Sequence, residues 1–181
     1  MSKEQQMVMF WPTIEGLDAA LDHGRSSKDF TAALKICEEH CRKHPQDAVG
    51  FAARSRVFTY MRMPARALAD LDLSMALQGY DFVSDFAQRA ALQMALERWP
   101  DAIQSWLTAI SMDEEGWFET YANLQLADCY IAIGDLDAAE RECAKASPTP
   151  PLPACRPGRL YVSAAILLED ITRLRGGATQ G

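Results

Sequence analysis

The chain lacks any apolar run long enough to cross a membrane. The longest, Ala164–Leu168, falls far short of the ~18 residues a helical span needs. It also lacks an excess of positive charge: 18 Lys and Arg against 25 Asp and Glu leave a net charge of −7. A general binder of phosphate backbones needs the opposite field, so no nucleic acid is expected as a partner. No Gly-rich loop leads into Lys-Ser or Lys-Thr, and no G-x-S-x-G elbow is present. The only three histidines, His23, His40 and His44, lie within the first 44 residues. Carboxylate neighbours such as Glu38–Glu39 and Asp113–Glu115 fit solvated surfaces. A non-enzymatic protein without catalytic residues or cofactors is therefore expected. The opening MSKEQQMVMFWPT has no apolar core followed by a small-residue cleavage site, so it does not read as a secretory signal. Five cysteines, an odd count without an export signal, point to reduced thiols and a cytoplasmic setting.

What is present is ordinary globular material: 181 residues, 49% hydrophobic and 24% charged. A chain of this size buries ~70% of its unfolded surface on folding, so no disulfide or metal staple is required. The most metal-like string is Cys37-Glu-Glu-His40-Cys41-Arg-Lys-His44. On one helix, Cys37 and Cys41 share a face, while His40 and His44 share the next. Tetrahedral zinc wants four convergent ligands, normally from two elements, so this is half a site and a buried-core reading of Cys37 is preferred. Cys129 and Cys143 fall inside helical patterns, which leaves Cys155 as the thiol expected to be accessible.

The organising feature is a repeat. Four helical patterns carry an early alanine, Ala33, Ala67, Ala102 and Ala139, spaced 34, 35 and 37 residues apart. Twelve positions before each stand Leu21, Ser55, Ala90 and Ala127, and four further upstream Leu17, Phe51, Phe86 and Asn123. Each unit reads as two amphipathic helices joined by a short turn, with turn signals at Ser26–Asp29, Met63-Pro64, Trp99-Pro100-Asp101 and Gly134-Asp135. Small residues belong where helices cross closely. Because one pair cannot bury its own apolar face, pairs stack.

Over roughly residues 14–147 the pattern resembles the tetratricopeptide repeat (TPR) family. The last unit carries Leu126, Ala127, Tyr130, Gly134, Ala139, Ala146 and Pro151 where the family has such residues. The second and third, with Arg54–Ser55 and Arg89–Ala90, resemble the branch with arginine before the small residue. The first keeps Leu17, Leu21, Ala33 and Pro45 but has Gly24 in the place of an aromatic, and Gly79 and Glu114 replace the closing proline. The resemblance implies an all-α, right-handed superhelical stack of about four helix pairs, with units at about 14–47, 48–82, 83–119 and 120–147. Residues 1–13 precede the array. A proline-rich connector, 148–158, should be stiff and extended. A helix over 159–175, with Leu160, Ala164, Leu167, Leu168, Ile171 and Leu174 on one stripe, is the natural cap, or else a dimerisation helix. A flexible tail is expected over 176–181.

In this family the first helix of each pair lines a concave surface that binds a peptide or helix. Carried over residue by residue, the groove would be walled by Asp18 and Asp22, then Ala52, Arg56 and Tyr60. Ala87, Gln88, Ala91 and Met94 follow, and Tyr121, Leu124, Gln125 and Asp128 close it. The carboxylate clamp of the chaperone-tail binders is absent, because Asp18, Asp22, Ala53 and Gln88 stand at its positions. The groove is thus expected to suit an apolar segment, with Gln88 or Gln125 satisfying backbone groups. Arg54, Arg56, Arg62 and Arg66, interleaved with Phe58, Tyr60 and Met61, read mainly as a solvated or salt-bridged surface. Size, acidity and the extra helix resemble the small helical-repeat chaperones of bacterial secretion systems. An adaptor or chaperone is expected. An immunity or antitoxin protein masking a partner, or a scaffold self-associating through Trp11, Trp117 and Leu160, stays open as an alternative, and no metal is expected.

Overall fold

The computed structural model describes residues 14–79, 82–146 and 148–178, so the segment 1–13 with Trp11, and the last residues of the tail, lie outside the described residues. The architecture is an all-α helical repeat, divided after Tyr80 into two compact units.

The first unit holds two helix pairs: α1 (Leu17–Ser27) with α2 (Thr31–Lys43), and α3 (Ala48–Tyr60) with α4 (Pro64–Gln78). Local chemistry sets the helix starts. The Asp29 carboxylate accepts the Thr31 N–H at 2.9 Å, that of Asp47 accepts Val49 N–H at 3.0 Å, and Pro64 opens α4, where no N–H is needed. Leu17, Leu21, Phe30, Ala33, Cys37, Ala53 and Val57 form the core. The missing aromatic at Gly24 is explained here. A Cβ on Gly24 would sit 2.4 Å from the Phe30 ring, so the turn supplies the aromatic and the glycine makes room for it.

The second unit holds α5 (Val83–Ala95) with α6 (Trp99–Met112), then α7 (Glu119–Ile133) with α8 (Leu136–Lys145). After α8 the chain forms a two-residue strand β1 (Leu152–Pro153), antiparallel to β2 (Tyr161–Val162), and ends in α9 (Ala164–Ala178). Trp106 is the largest fully buried side chain. Its indole N–H points to the Met94 sulfur at 3.2 Å, and it packs edge-on against Tyr121. A second cluster joins Leu124, Ala127, Ile131, Ala139 and Cys143 to Val162, Leu167 and Ile171, so α9 closes the face left by α7 and α8.

The register read from the repeat is the register of the packing. Leu21, Ala33, Ser55, Ala67, Ala90, Ala102, Ala127 and Ala139 are all buried to 1% exposure or less. Within pairs, Ser55 Oγ donates to Ala67 O at 2.7 Å and Ser105 Oγ to Gln93 Oε1 at 2.7 Å, so both of these buried hydroxyls are satisfied. Each intra-pair turn places one residue in the left-handed region: Lys28, Arg62, Glu97 and Gly134. Only the last is the residue that adopts this conformation freely.

The C-terminal region corrects two expectations. The helix begins at Ala164 rather than 159, because Tyr161 and Val162 pair with Pro153 and Leu152 instead of joining it. Leu160 therefore leaves the expected stripe and stands 81% exposed, while Leu167 and Ile171 carry the packing. The helical run also continues through Gly176 and Gly177, residues assigned to the tail from sequence.

Candidate functional site

In the first unit, the expected wall residues form an exposed network whose members pair with one another. Arg25 donates to Asp22 Oδ1 at 2.6 Å and to the Tyr60 hydroxyl at 2.9 Å, with its guanidinium 5.2 Å above the Tyr60 ring. Tyr60 in turn stacks on Phe30 at 5.4 Å, nearly parallel. Arg56 Nη2 lies 3.8 Å from Asp18 Oδ1. Asp18 and Asp22 are both 72% exposed, and Ala52 is half-buried. The basic cluster is partly internal. Arg54 makes a two-pronged pair with the buried Asp70 at 2.7 and 2.8 Å, and Arg66 lies over Phe58. Arg54 is thereby committed to a neighbouring helix rather than presented to a partner.

The metal-like string assembles no centre. Cys37 and Cys41 are buried in the core, and burial pushes the Cys37 thiol up to about 12. His40 Nε2 is instead 2.8 Å from Asp47 Oδ2. Among the described residues no group of three or more potential ligands converges.

The second unit separates the expected wall into three kinds of position. Gln88 and Ala91 on α5 remain half-exposed, and Ala87 is nearly covered. Met94 and Leu124 were expected to line a groove but are core residues, at 0% and 1% exposure. Tyr121, Gln125 and Asp128 are covered by the chain itself, and this the sequence reading did not anticipate. The connector lies over α7, extended at Leu152–Pro153 and turning back over residues 156–158. Gln125 donates through Nε2 to Pro153 O at 2.8 Å, and its Oε1 accepts the Cys155 N–H at 3.1 Å, so one side-chain amide holds the backbone on both sides of Ala154. Asp128, fully buried, is met by Arg156 Nη1 at 3.2 Å and Arg159 Nε at 3.1 Å, both on Oδ1. Desolvation holds its carboxyl above the ordinary range, against the pull of both arginines. Arg156 also lies 5.6 Å from the Trp99 ring centre, and Arg159 bridges to Asp170 of α9 at 2.6 Å.

Cys155, expected to be accessible, is half-buried with Sγ 3.2 Å from the Tyr121 hydroxyl. Burial raises both groups, so neither is a poised nucleophile. The sequence signal for this seating was a spacing match: Gln125 and Asp128 three apart on one helix face, Arg156 and Arg159 three apart around Pro157-Gly158. Elsewhere in this unit a shallow polar depression between α5 and α6 is lined by Arg89, Gln93, Arg98, Asp101 and Gln104. Arg98 and Asp101 neutralise each other there at 2.7 Å.

A helical repeat whose first helices present such faces defines a TPR-like fold, and the comparison with solved structures agrees. Two crystal structures of MamA superpose with TM-scores of 0.59 and 0.61. Each is 17% identical, covering 68% and 71% of this chain and 70% and 68% of theirs. YrrB, described as a TPR protein with an unusual peptide-binding site, superposes with a TM-score of 0.58 at 17% identity, over 74% of each chain. No protein-family model matches the chain, and no curated protein matches it in sequence. Among the described residues, no helix is long and apolar enough to cross a membrane.

Proposed function

We propose that the protein is a non-enzymatic interaction module, an adaptor or chaperone that holds an extended or helical segment of a client protein on the faces of its first helices. One observation carries this reading: α7 already grips a stretch of extended polypeptide by its backbone, through the Gln125 amide. Side-chain amides that bond backbone groups accept many sequences, which suits a module that captures segments rather than one that transforms small molecules. The likeness to YrrB supports a protein ligand. The five free thiols, each with burial opposing ionisation where it is resolved, support a cytoplasmic setting without a catalytic cysteine. An immunity-type protein masking one dedicated partner is the same reading with a single client.

Ala91, half-exposed on α5, is the position to test. Ala91→Glu is expected to abolish capture of a client from native cell lysate while helicity and melting stay unchanged. Undiminished capture by the variant overturns the reading. A second reading, self-association, is favoured by Trp117 and Leu160, 64% and 81% exposed. A dimer that becomes monomeric on removal of residues 159–181 assigns the chain to it. A monomeric mass before and after, with lowered stability, returns α9 to the role of cap.

A further inference from the structure

We propose that the face of α7 bearing Tyr121, Gln125 and Asp128 is a cradle for an arginine-bearing peptide that crosses Gln125 in extended form, and that residues 152–159 of this chain, extended at Leu152–Pro153 and turning over 156–158, fill it in cis. The proposal rests on the interaction-module reading and specifies the ligand of that module.

Three features distinguish a seated ligand from ordinary chain packing. The first is the mode of contact. Gln125 bonds a carbonyl on one side of Ala154 and an N–H on the other, so it holds any extended backbone. The second is the light packing of the segment. None of residues 152–159 is buried, whereas Val162 and Ser163, immediately beyond the turn back, are. The limb is held by polar contacts, by the two-residue pairing of β1 with β2 and by the partly buried side chains of Leu152, Ala154 and Cys155, none of which reaches the full burial of Val162, Leu167 and Ile171.

The third feature is the imperfect fit. Asp128 Oδ2 is buried and has no hydrogen-bond partner, while Oδ1 faces both arginines. Arg159 Nε reaches the carboxylate by distance but not along the bond axis, and so leaves its own N–H unmade. A buried carboxylate with a bare oxygen is an incomplete arrangement, since a guanidinium fork would meet both oxygens at once. The cis segment cannot supply that fork, because its two arginines divide one oxygen between them. The preferred ligand is therefore an extended peptide with a small residue at the Gln125 clamp and a residue of cysteine or serine size against Tyr121. An arginine follows two positions after the clamp, as Arg156 follows Ala154.

The probe is a labelled synthetic peptide of residues 152–159 with serine in place of Cys155, titrated into the full chain. Wild type should bind it weakly, since the cradle is filled. Arg156→Ser/Arg159→Ser, which loosens the cis limb, should bind at least tenfold tighter, and adding Asp128→Asn or Gln125→Ala should remove the gain. No gain in a doubly substituted chain of unchanged helicity overturns the proposal. So does equal binding of a peptide with alanine for its first arginine.

A second measurement needs only wild type. Cys155 is the one thiol not buried, so excess peptide that displaces the limb should speed its alkylation severalfold. An unchanged rate at saturating peptide overturns cis occupancy. If Ala91→Glu abolishes client capture while the peptide never binds, the module reading stands and the cradle alone falls. If capture survives Ala91→Glu, the module reading falls first.

Discussion

The two units treat charge in opposite ways. In the first, Asp18, Asp22 and Arg25 stand on the surface, where water is free to screen the pairs they make. In the second, Asp128 is taken wholly out of water and covered by the chain's own connector. Exposed pairs of the first kind contribute little to stability, because solvent competes and two long side chains must be ordered. A buried charge of the second kind costs heavily unless partnered, so it fixes where Arg156 and Arg159 must lie. The first unit advertises its polar groups, whereas the second uses one to place a segment of backbone.

The sharpest way to break this comparison is at the second unit's core. Trp106→Ala removes a fully buried ring together with its contacts to Met94 and Tyr121, and should cost ~3–5 kcal/mol in urea unfolding. Next is the first unit's inward-facing exception. Arg54→Ala leaves Asp70 buried without its two-pronged partner and should cost ~3 kcal/mol, with little relief from added salt. A loss that vanishes in high salt would place this pair among the solvated ones.

A third experiment uses pH. Burial opposes ionisation of Asp47, yet the bonds from His40 and the Val49 N–H prevail and hold its carboxyl below the usual range. A folded value below the unfolded one stabilises the fold at pH above ~4 and loses that effect as pH falls through the folded value. Asp47→Asn keeps the helix cap, so its stability deficit should be greatest near neutrality and close in acid. For Asp128 the sign reverses. Its raised value makes protonation favour the folded state, so its contribution weakens as pH rises through that value. Stability curves of Asp47→Asn and Asp128→Asn should therefore both meet wild type in acid, where amide and neutral carboxyl are alike. Toward neutrality they should part from it with opposite signs, the first variant falling below wild type and the second rising above it. The smallest effect belongs to Asp22→Ala, which should leave the melting temperature unchanged because its carboxylate is 72% exposed.

Much of the fold was legible because a crossing helix pair writes itself into the chain at a fixed interval. Ser55 and Ala67, or Ala90 and Ala102, are small for a local reason and twelve residues apart for a geometric one. The departures were less legible. Nothing in the spacing around Gly24 says that the aromatic arrives from Phe30 in the following turn. Leu160 continued an apolar stripe by position, but pairing of Tyr161–Val162 with Leu152–Pro153 took that stretch out of the helix. The cradle was half legible. Gln125 was expected to satisfy backbone groups and does so, but the backbone belongs to residues 28 to 30 positions downstream. A proline-rich composition announces an extended segment without naming the surface it lies on, which is also why Cys155 was expected in the open.

The left-handed residue that closes each helix pair has a consequence for how such a chain changes over time. Lys28, Arg62 and Glu97 hold a conformation that disfavours any side chain by roughly 1 kcal/mol, whereas Gly134 holds it freely. These three exposed turn positions make a set of adjustable screws, separate from the buried helix-crossing residues. Glycine at any of them would tighten its own hairpin and leave every contact surface as it stands. Turn robustness and the buried helix-crossing register can accordingly drift independently in this molecule.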